Sequence, residues 1–508
     1  MRLMMYLALL TAHFSYAQEN INPSRDSLQI DPLLIPLIDT ALAPFYHGVA
    51  SGDPTNNSVI IWTRITPEKE LEELPVMWEI SENRFFDPII KRGSSSTGKF
   101  RDYTVKVDVT GVESGKRYFY RFSYDGKFSS TGTTKTLPEN PQKMNIAFAS
   151  CSNYEWGYFN AYGIMAKDTT LDLVVHLGDY IYEYGVGKYG DTTIGRLNVP
   201  SKEIVSLQDY RTRYSLYRLD KDLNKVHESL PFVTTWDDHE IANNSYMHGA
   251  ENHQSATEGN WTDRRAAGTK AYYEWLPIRE PSDALYRSFG IGNLINLVIL
   301  DTRITGRTEQ IYDHTDEAYE NESRTILGQR QLEWLKTELQ SHHYWKIIGN
   351  QVPVGPMIVP TREGKHPYMD GWDGYPAERN RVLHYIKNKQ IKNVAIVTGD
   401  YHSAFAMETP FSDTSVAVEF VVPSINSSNY DEHTDSATVV QAKNAYLAYN
   451  PHISYCNLQD HGYVKLKINK ESILSEFVYI TTKTEPDHSV KSTNRFEVLS
   501  NSNKISEQ

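Results

Sequence analysis

Two patterns of apolar and polar positions follow one another along the chain. In the first, short runs alternate apolar and polar side chains, and turn residues such as Asp125-Gly126 punctuate them. The clearest runs are 59–62, 76–78, 105–109 and 118–122. Such alternation is typical of half-buried antiparallel strands. We therefore expect an all-β sandwich of fibronectin-like architecture over residues 44–137.

From about residue 144, continuous apolar runs alternate with amphipathic segments. The apolar runs predict buried strands and the amphipathic segments predict helices, so this part should form an α/β layered domain. The predicted strands are 146–149, 171–177, 297–300, 345–348 and 394–397. The predicted helices include 327–341, which has leucines at helical spacing, and 377–389, which Pro376 opens.

The ends of the chain have their own patterns. Residues 18–43 combine Pro, Asp and short apolar stretches without a clear period, which predicts a linker lying over the next domain. Two alternating runs, 463–468 and 473–480, either complete or flank the main sheet, so we expect the α/β domain to span 138–483. The polar segment 484–508 is expected to be a flexible tail.

Polar residues directly follow the predicted buried strands. They are Ser150-Cys151, Gly178-Asp179, Asp301, Asn350 and Gly399-Asp400. In α/β folds, the carboxyl edge of the strands is where ligands bind. We therefore expect several separate segments to bring reactive side chains to one edge of the sheet.

Three of these segments are rich in possible metal ligands: Gly178-Asp179-Tyr180-Ile181-Tyr182, Trp236-Asp237-Asp238-His239-Glu240 and Gly399-Asp400-Tyr401-His402. Each alone has an ordinary explanation, because an Asp after a strand often caps a helix, an acidic run can be a solvated turn, and Asp-x-His is common by chance. Together they supply oxygen and nitrogen ligands suited to hard or borderline cations. Crowded carboxylates are also costly unless cations neutralise them.

The charge balance of the chain restricts its partners. Lys and Arg total 51 against 64 Asp and Glu, a formal charge of -13. A nucleic acid would be repelled by such a surface. A small phosphate-bearing substrate would need locally concentrated positive charge, which metal ions held by carboxylates can supply.

The first residues predict export. A short apolar run from Leu3 to about Phe14 precedes Ser15-Tyr16-Ala17, which fits a Sec-type signal peptide over 1–17. The alternative is a buried N-terminal helix. The run is shorter than the roughly 20 apolar residues of a membrane span, and no later segment is long and apolar enough. With no Cys near the cleavage point to carry a lipid anchor, we expect a secreted or periplasmic protein.

The motifs resemble, in order, those of the PhoD-like alkaline phosphatases and phosphodiesterases of the metallophosphoesterase superfamily. The likeness covers about residues 44–430. It begins at Phe45-x-His47-Gly48-Val49-Ala50-Ser51-Gly52-Asp53-Pro54 and continues through Ala149-Ser150-Cys151 and the three ligand-rich segments. The resemblance implies a metallophosphoesterase fold with α/β/β/α layers. One departure is that Met1-Arg2-Leu3 lacks the Arg-Arg pair of the twin-arginine signals common in this family.

The resemblance also implies a metal centre with Fe³⁺ and Ca²⁺. Its iron ligands correspond to Cys151, Asp179, Tyr182 and His402, and its calcium site shares Asp179 and adds Asp238 and Asp400. His239 corresponds to an imidazole that contacts the substrate phosphate or protonates the leaving oxygen. Asn350 is a further possible neighbour of the metals. Asn153 and Arg265 are candidate phosphate contacts that have no motif support.

The implied reaction is hydrolysis of phosphate monoesters or diesters by hydroxide activated on two metals. Ser150 and Ser152 are alternative nucleophiles, but the sequence pairs neither with a base. Two other functions stay open: a strict phosphodiesterase or phospholipase-D-like enzyme, and a surface binding protein with a degenerate α/β domain. A ligand-type residue stands at every motif position, which argues against a degenerate domain.

The two cysteines allow opposite interpretations. Cys151 and Cys456 are the only cysteines, and in an exported chain two cysteines usually form a disulfide. Cys151, however, stands where the family pattern has its first metal ligand, whereas Cys456 has no ligand-like neighbours. We expect Cys151 to be a metal-bound thiolate and not half of a disulfide.

Overall fold

The computed structural model describes residues 28–280, 284–361 and 364–508. The predicted signal peptide and the first part of the predicted linker lie outside these ranges. The rest of the linker forms two short 3₁₀ turns, Pro32–Leu37 and Thr40–Leu42. None of the helices in the described part of the chain combines the length and hydropathy that crossing a membrane requires.

The α-helices of the described residues are α1 (Asn160–Lys167), α2 (Leu207–Arg218), α3 (Lys221–Ser229), α4 (Ser255–Glu258), α5 (Trp261–Trp275), α6 (Gly328–Leu339), α7 (Pro376–Asn388) and α8 (Ser436–Tyr449). The two predicted helices correspond to α6 and α7 within two residues at each end. Pro376 occupies the first turn of α7, where its missing N–H leaves no hydrogen bond unmade.

The strands before α1 are β1 (Val49–Gly52), β2 (Ser58–Arg64), β3 (Leu74–Ser81), β4 (Lys91–Thr97), β5 (Thr104–Thr110), β6 (Arg117–Tyr124), β7 (Lys127–Phe128), β8 (Gly132–Lys135) and β9 (Met144–Ala149). Those that follow are β10 (Leu173–His176), β11 (Pro231–Thr234), β12 (Arg287–Ile291), β13 (Ile295–Ile299), β14 (Trp345–Asn350), β15 (Ile358–Thr361), β16 (Gly364–Pro367), β17 (Val394–Thr398), β18 (Ala404–Phe411), β19 (Thr414–Val421), β20 (Ile453–Asn457), β21 (Gly462–Ile468), β22 (Ser472–Ile480), β23 (Val490–Leu499) and β24 (Ser506–Glu507).

Two large sheets form the centre of the molecule. The first has the strand order β24-β23-β22-β21-β9-β10-β11-β1-β2-β5, and the second has the order β12-β13-β14-β17-β19-β18-β20. Strands β9, β10 and β11 run parallel in the first sheet, as do β13, β14, β17 and β19 in the second. Parallel strands place their carboxyl ends at the same edge, where the candidate residues stand.

The apolar clusters show four layers. The inner faces of the two sheets share one buried cluster, which contains Phe148 of β9 and Ile347 of β14. The outer face of the first sheet packs against α1, α2, α3 and α5. The outer face of the second packs against α6 and α7. The predicted α/β/β/α arrangement is confirmed.

The N-terminal region is a β-sandwich, but one of its two sheets continues into the rest of the protein. The sheet β4-β3-β6-β7, with β8 paired to β6, packs on β1, β2 and β5 through a shared apolar core. Strand β1 in turn pairs in parallel with β11, where Gly52 faces Phe232. The first large sheet therefore crosses the predicted boundary at residue 138.

The prediction of a flexible tail over 484–508 is wrong. Strand β23 pairs antiparallel with β22 over nearly its whole length, and β24 adds a short edge. The segment looks polar because most of β23 is exposed on both faces. Phe496 and Val498, which are buried, hold it against the inner core of the two sheets.

Candidate metal centre

The polar residues that follow the parallel strands meet in one cluster. The loops after β9, β10, β11 and β17 carry Cys151, Asp179, Asp237 with Asp238 and His239, and Asp400 with His402, respectively. Their ligand atoms lie within 4.8 Å of one another in three overlapping groups: Cys151, Asp179 and His402; Asp179, Asp238 and His239; Asp237, Asp238 and Asp400. The shared members Asp179 and Asp238 make these groups one continuous site. The two sheets contribute to it together.

The backbone at this site is strained. Cys151, Asp179, Asp400 and His402 all have positive φ angles, of 60°, 54°, 63° and 65°. This left-handed region is unfavourable for residues other than glycine, and it is enriched at functional sites. Each sharp turn occurs directly beyond the end of a strand and turns the ligand side chain toward the cluster.

Gly178, at φ +108°, lets the β10 loop approach the β11 loop. A Cβ atom at this position would lie 2.4 Å from the backbone nitrogen of Asp237. No side chain fits in that space, so glycine is required for the two ligand-bearing loops to touch.

Several oxygens of the cluster are suited to bind cations. Among the described residues, Asp179 Oδ1, Asp237 Oδ2 and Asp238 Oδ1 are buried and have no hydrogen-bond partner. An unpaired buried carboxylate oxygen is costly, and metal coordination removes that cost. Together with the Cys151 thiol and the His402 imidazole, these oxygens fit the donor set of a multinuclear metal site.

The charges of the cluster also fit bound cations. Burial, followed by the Asp179 carboxylate, raises the pKa of the Cys151 thiol well above its usual value. Burial likewise raises the pKa of Asp179 and of Asp237, and neighbouring Asp238 adds to both shifts. These directions describe the protein side chains alone. A bound cation would reverse them, because it favours the thiolate and the carboxylates.

Tyr182 and His402 are held in position by hydrogen bonds. The Tyr182 hydroxyl donates to Asp179 Oδ2 at 3.0 Å, accepts from Ser427 Oγ at 2.8 Å and lies 3.2 Å from His402 Nε2. His402 Nδ1 donates to the carbonyl of Ser428 at 2.8 Å. This contact leaves the lone pair on Nε2, which faces the cluster, as metal-binding imidazoles require. Burial lowers the pKa of His402 to about 4, so the ring is neutral.

His239 is positioned differently. Its Nδ1 contacts Glu183 Oε2 at 2.7 Å, and its ring lies 4.3 Å from that of Tyr182. Glu183 also accepts from the backbone N–H of Asn243 and the amide of Asn252. Burial lowers the pKa of His239, but the carboxylates of Asp238, Glu183 and Asp179 outweigh it and raise the pKa well above its usual value. The imidazole is therefore held as a proton carrier beside the carboxylates.

Glu240 has a structural role that the sequence does not reveal. Its carboxylate accepts backbone N–H groups from Asp179 at 3.1 Å, Tyr180 at 2.6 Å and Asp237 at 2.8 Å. Burial raises the pKa of Glu240 to about 7. The side chain joins the β10 loop to the β11 loop and does not face the cluster.

Arg303 and Asp370 are the residues at this site that the sequence reasoning missed. The Arg303 guanidinium is fully buried; it contacts Asp237 and donates to Asp370 and Asp400. The only available signal was position, since Arg303 stands two residues after Asp301 at the end of β13. Asp370 lies in the segment between β16 and α7, where no motif marks it.

The remaining candidates have structural contacts. The Asn153 amide donates to the Tyr189 carbonyl and its oxygen accepts from the Glu155 N–H, so both groups are occupied. Arg265 donates to the Met247 carbonyl and lines a different cavity. Asn350 donates to the Val352 carbonyl, and its oxygen has no partner within the described ranges.

Ser152 Oγ donates to the carbonyl of Tyr180, and Ser150 Oγ accepts from Cys151 Sγ, so neither hydroxyl contacts a base in these bonds.

The two cysteines occupy different parts of the molecule. Both are free and buried, and Cys456 of β20 packs in an apolar cluster with Phe405 and Tyr446.

A cavity of about 350 Å³ leads to one side of the cluster. Asp400 and His402 form part of its wall, and the rest consists mostly of aromatic and small polar side chains: Tyr189, Tyr368, Tyr401, Ser403, Ser428, Asn429, Tyr430, His433, Tyr446 and Leu458. Its volume is at the small end of the range for ligand pockets.

Comparison with known proteins gives a consistent result over most of the chain. A family model described as PhoD-like phosphatase matches residues 146–477, and the PhoD-like phosphatase N-terminal domain matches residues 38–138. Alkaline phosphatase D of Bacillus subtilis (strain 168) is 37% identical over 480 residues, which cover 89% of this chain and 80% of that protein. A solved structure described as "Structure of PhoD" superposes with a TM-score of 0.84 at 35% identity, covering 92% of this chain and 93% of that one.

Proposed function

Because this chain belongs to the PhoD-like phosphatase family, we propose that the residue cluster at the carboxyl ends of its strands is the metal centre of an exported phosphoesterase. The observation that carries this proposal is the convergence of unpaired buried carboxylate oxygens from Asp179, Asp237 and Asp238 beside a thiol and a neutral imidazole.

The donor chemistry divides the centre into two parts. Cys151, Tyr182 and His402 offer a thiolate, a phenolate and an imidazole, which suit a transition metal, and the family resemblance implies Fe³⁺. Asp238 and Asp400 offer only oxygen, which suits Ca²⁺. Asp179 belongs to both parts, because one of its oxygens contacts Tyr182 and the other is unpaired.

When bound, the metal ions supply water activation and stabilise the charge that develops on the phosphate oxygens. The protein supplies the proton for the departing alcohol. His239 is held by Glu183, whose carboxylate lies outside the proposed metal ligands, and within the described residues no hydrogen bond occupies its second nitrogen. It donates that proton to the leaving oxygen as the ester bond breaks.

Small phosphate esters are the substrate class that the site admits. The phosphate lies at the cluster, and the alcohol part of the ester occupies the adjoining cavity lined by Tyr189 and Tyr430. The negative charge of the whole chain disfavours nucleic acid substrates. Export by the Sec route through residues 1–17 is part of this proposal, and N-terminal sequencing of protein recovered outside the cytoplasm tests it.

The experiment for the proposed function combines metal analysis with two chromogenic substrates. We expect purified protein to contain iron and calcium and to hydrolyse an aryl phosphate monoester, a bis-aryl phosphate diester or both. Chelation should abolish turnover, and restoring the two metals should recover it. A folded, metal-replete protein without turnover on either ester would contradict the proposal. The ratio of the two rates separates a monoesterase from a strict diesterase.

A further inference from the structure

Arg303 lies at the centre of the acidic half of the site. Its guanidinium donates to Asp370 through two parallel bonds of 3.0 and 2.9 Å and to Asp400 Oδ1 at 2.9 Å. It also contacts Asp237 through Nε and lies 3.8 Å from Asp238 Oδ2. The four carboxylates come from three different loops, and the arginine side chain is fully buried.

Each of these contacts is one that a metal ion could otherwise make. Asp237, Asp238 and Asp400 form one of the three groups whose oxygens lie within 4.8 Å of each other. A divalent cation surrounded by several carboxylates is a common arrangement, because its charge compensates for their burial. Here a covalently attached cation is already placed among the same carboxylates.

Arg307 provides an internal comparison. It is also fully buried, and it donates to the carbonyl of Asp370 and to Oδ1 of its carboxylate, which also accepts from Arg303. None of its hydrogen bonds or ion pairs joins it to Asp237, Asp238 or Asp400 among the described residues. The two arginines therefore share one carboxylate partner, but only Arg303 reaches the metal-type cluster.

We propose that Arg303 takes the place of a metal ion in this cluster and thereby limits the number of divalent cations that the centre binds. This inference rests on the proposed metal-binding role of Asp238 and Asp400. If Arg303 is replaced by a neutral side chain, the oxygens of Asp237 and Asp400 that it now occupies and Oδ2 of Asp370 lose their arginine partner, while Asp370 Oδ1 still accepts from Arg307. They still surround one position, so a calcium ion can bind there.

The test compares calcium binding by four forms of the full chain: wild type, Arg303→Gln, Arg303→Lys and Arg307→Gln. Each is loaded with iron and calcium, and bound calcium is counted by elemental mass spectrometry after dialysis. Calcium is also titrated calorimetrically into the chelated proteins. Thermal unfolding is recorded with chelator and with saturating calcium, which gives a readout that does not depend on activity.

We expect Arg303→Gln to bind one more calcium ion per chain than wild type. It should be the least stable form in chelator, because four buried carboxylates have lost their shared cation. Calcium at about 100 times its Kd should raise its unfolding temperature by roughly 2–3 °C more than it raises that of wild type. Arg303→Lys keeps a charge but not the forked donors of the guanidinium, so calcium should stabilise it by an amount between those of wild type and Arg303→Gln. Arg307→Gln should be destabilised with an unchanged calcium count.

An unchanged or lower calcium count in Arg303→Gln would overturn the proposal. If that variant does not fold, Arg303→Lys decides. Its shorter, single-point cation cannot reach all the carboxylates, so calcium should stabilise it more than wild type, and an equal response overturns the proposal. Failure of the proposed function looks different, because wild type would then bind neither iron nor calcium, whereas failure of this inference leaves wild-type metal binding intact and removes only the difference between the variants.

Discussion

Asp237, Asp238 and Glu240 stand within four consecutive residues, yet each carboxylate contacts a different part of the molecule. Asp237 faces Arg303, Asp238 keeps one unpaired oxygen toward the cluster, and Glu240 turns back to bind backbone N–H groups. The segment leaves strand β11 through a tight turn, so successive side chains point in different directions. Charge crowding along the sequence therefore indicated which segment reaches the cluster but not the separate roles of its residues.

Asp179→Asn should abolish phosphoesterase activity and lower the total metal content while the fold is kept. The neutral amide cannot balance two cations, and the unpaired Oδ1 of Asp179 has no role in the fold. Activity, metal content and thermal unfolding check this together. Asp301→Asn is the matched control, because Asp301 is equally buried at a strand end but its oxygens accept from the Arg303 and Ile304 N–H groups and from Thr305. Normal metal content in Asp179→Asn would refute the assignment.

His239→Ala should reduce kcat by on the order of 10²-fold, with the metals retained. The reason is that His239 is held by Glu183 as a proton carrier, while all the proposed metal ligands remain in place. Steady-state kinetics and elemental analysis on the same preparation give the two readouts. If metal is lost in proportion to activity, His239 is a ligand and not a proton donor.

If Cys151 and Tyr182 bind Fe³⁺, their electron-rich groups should give the protein a visible charge-transfer absorption. Tyr182→Phe should shift or bleach that band. Cys456→Ala should leave the colour and the activity intact, because Cys456 packs among apolar side chains and burial raises its pKa to about 12. Mass mapping of the unreduced protein is the check, and a crosslink between Cys151 and Cys456 in active enzyme would rule out the thiolate ligand.

The residues that the sequence could identify are those that stand in a motif directly after a strand. Cys151, Asp179 and Asp238 were predictable for that reason, and the structure brings them together. Arg303 and Asp370 could not be predicted, because their roles depend on tertiary contacts between loops far apart in the sequence. Local spacing carries no information about such contacts.

Whole loops, and not single side chains, set the geometry of the cluster, and Glu240 joins two of them. Glu240→Gln should lower the free energy of unfolding by about 2–4 kcal/mol, because the amide replaces an oxygen that accepts backbone N–H groups. Because the β10 and β11 loops carry Asp179 and Asp238, metal content should fall as well. Chemical denaturation and elemental analysis measure the two effects.

Glu378→Gln is the matched control for that element. Glu378 is buried and accepts the N–H groups of Ile326 and Leu327, but it joins α7 to the start of α6 on the other side of the second sheet. Its substitution should cost a similar stability with metal content unchanged. Equal metal loss in both variants would show that the effect of Glu240→Gln is only general destabilisation.

The strands and helices with a strong period were predicted close to their observed bounds. Strand β23 was missed because most of its exposed positions are polar and only Phe496 and Val498, near its end, alternate into the core. The strand is stabilised by pairing with β22 rather than by its own pattern. Pairing of this kind is a property of the sheet, and a single segment does not reveal it.

At the scale of the whole molecule, the first large sheet joins the N-terminal sandwich to the metal-bearing strands. Alternation predicted β2 and β5, but it did not predict β1 or its pairing with β11 across 179 positions of sequence between Gly52 and Phe232, which leaves no break in the sheet. A continuous sheet that shares apolar cores on both faces favours a single cooperative unit. The two regions should therefore not unfold independently.

Trp62→Ala tests this coupling. Trp62 belongs to β2, is fully buried, donates from its indole to the Glu274 carbonyl at 2.8 Å and lies 5.9 Å from the ring of Trp275 in α5. Loss of a buried tryptophan costs about 3–5 kcal/mol, which lowers the unfolding temperature of a chain this long by roughly 3–5 °C. We expect thermal inactivation and the loss of tertiary signal to shift together in a single transition. Trp62→Phe, which keeps an aromatic ring, should shift both less. Activity that survives a separate, earlier transition in Trp62→Ala would show that the N-terminal region unfolds on its own.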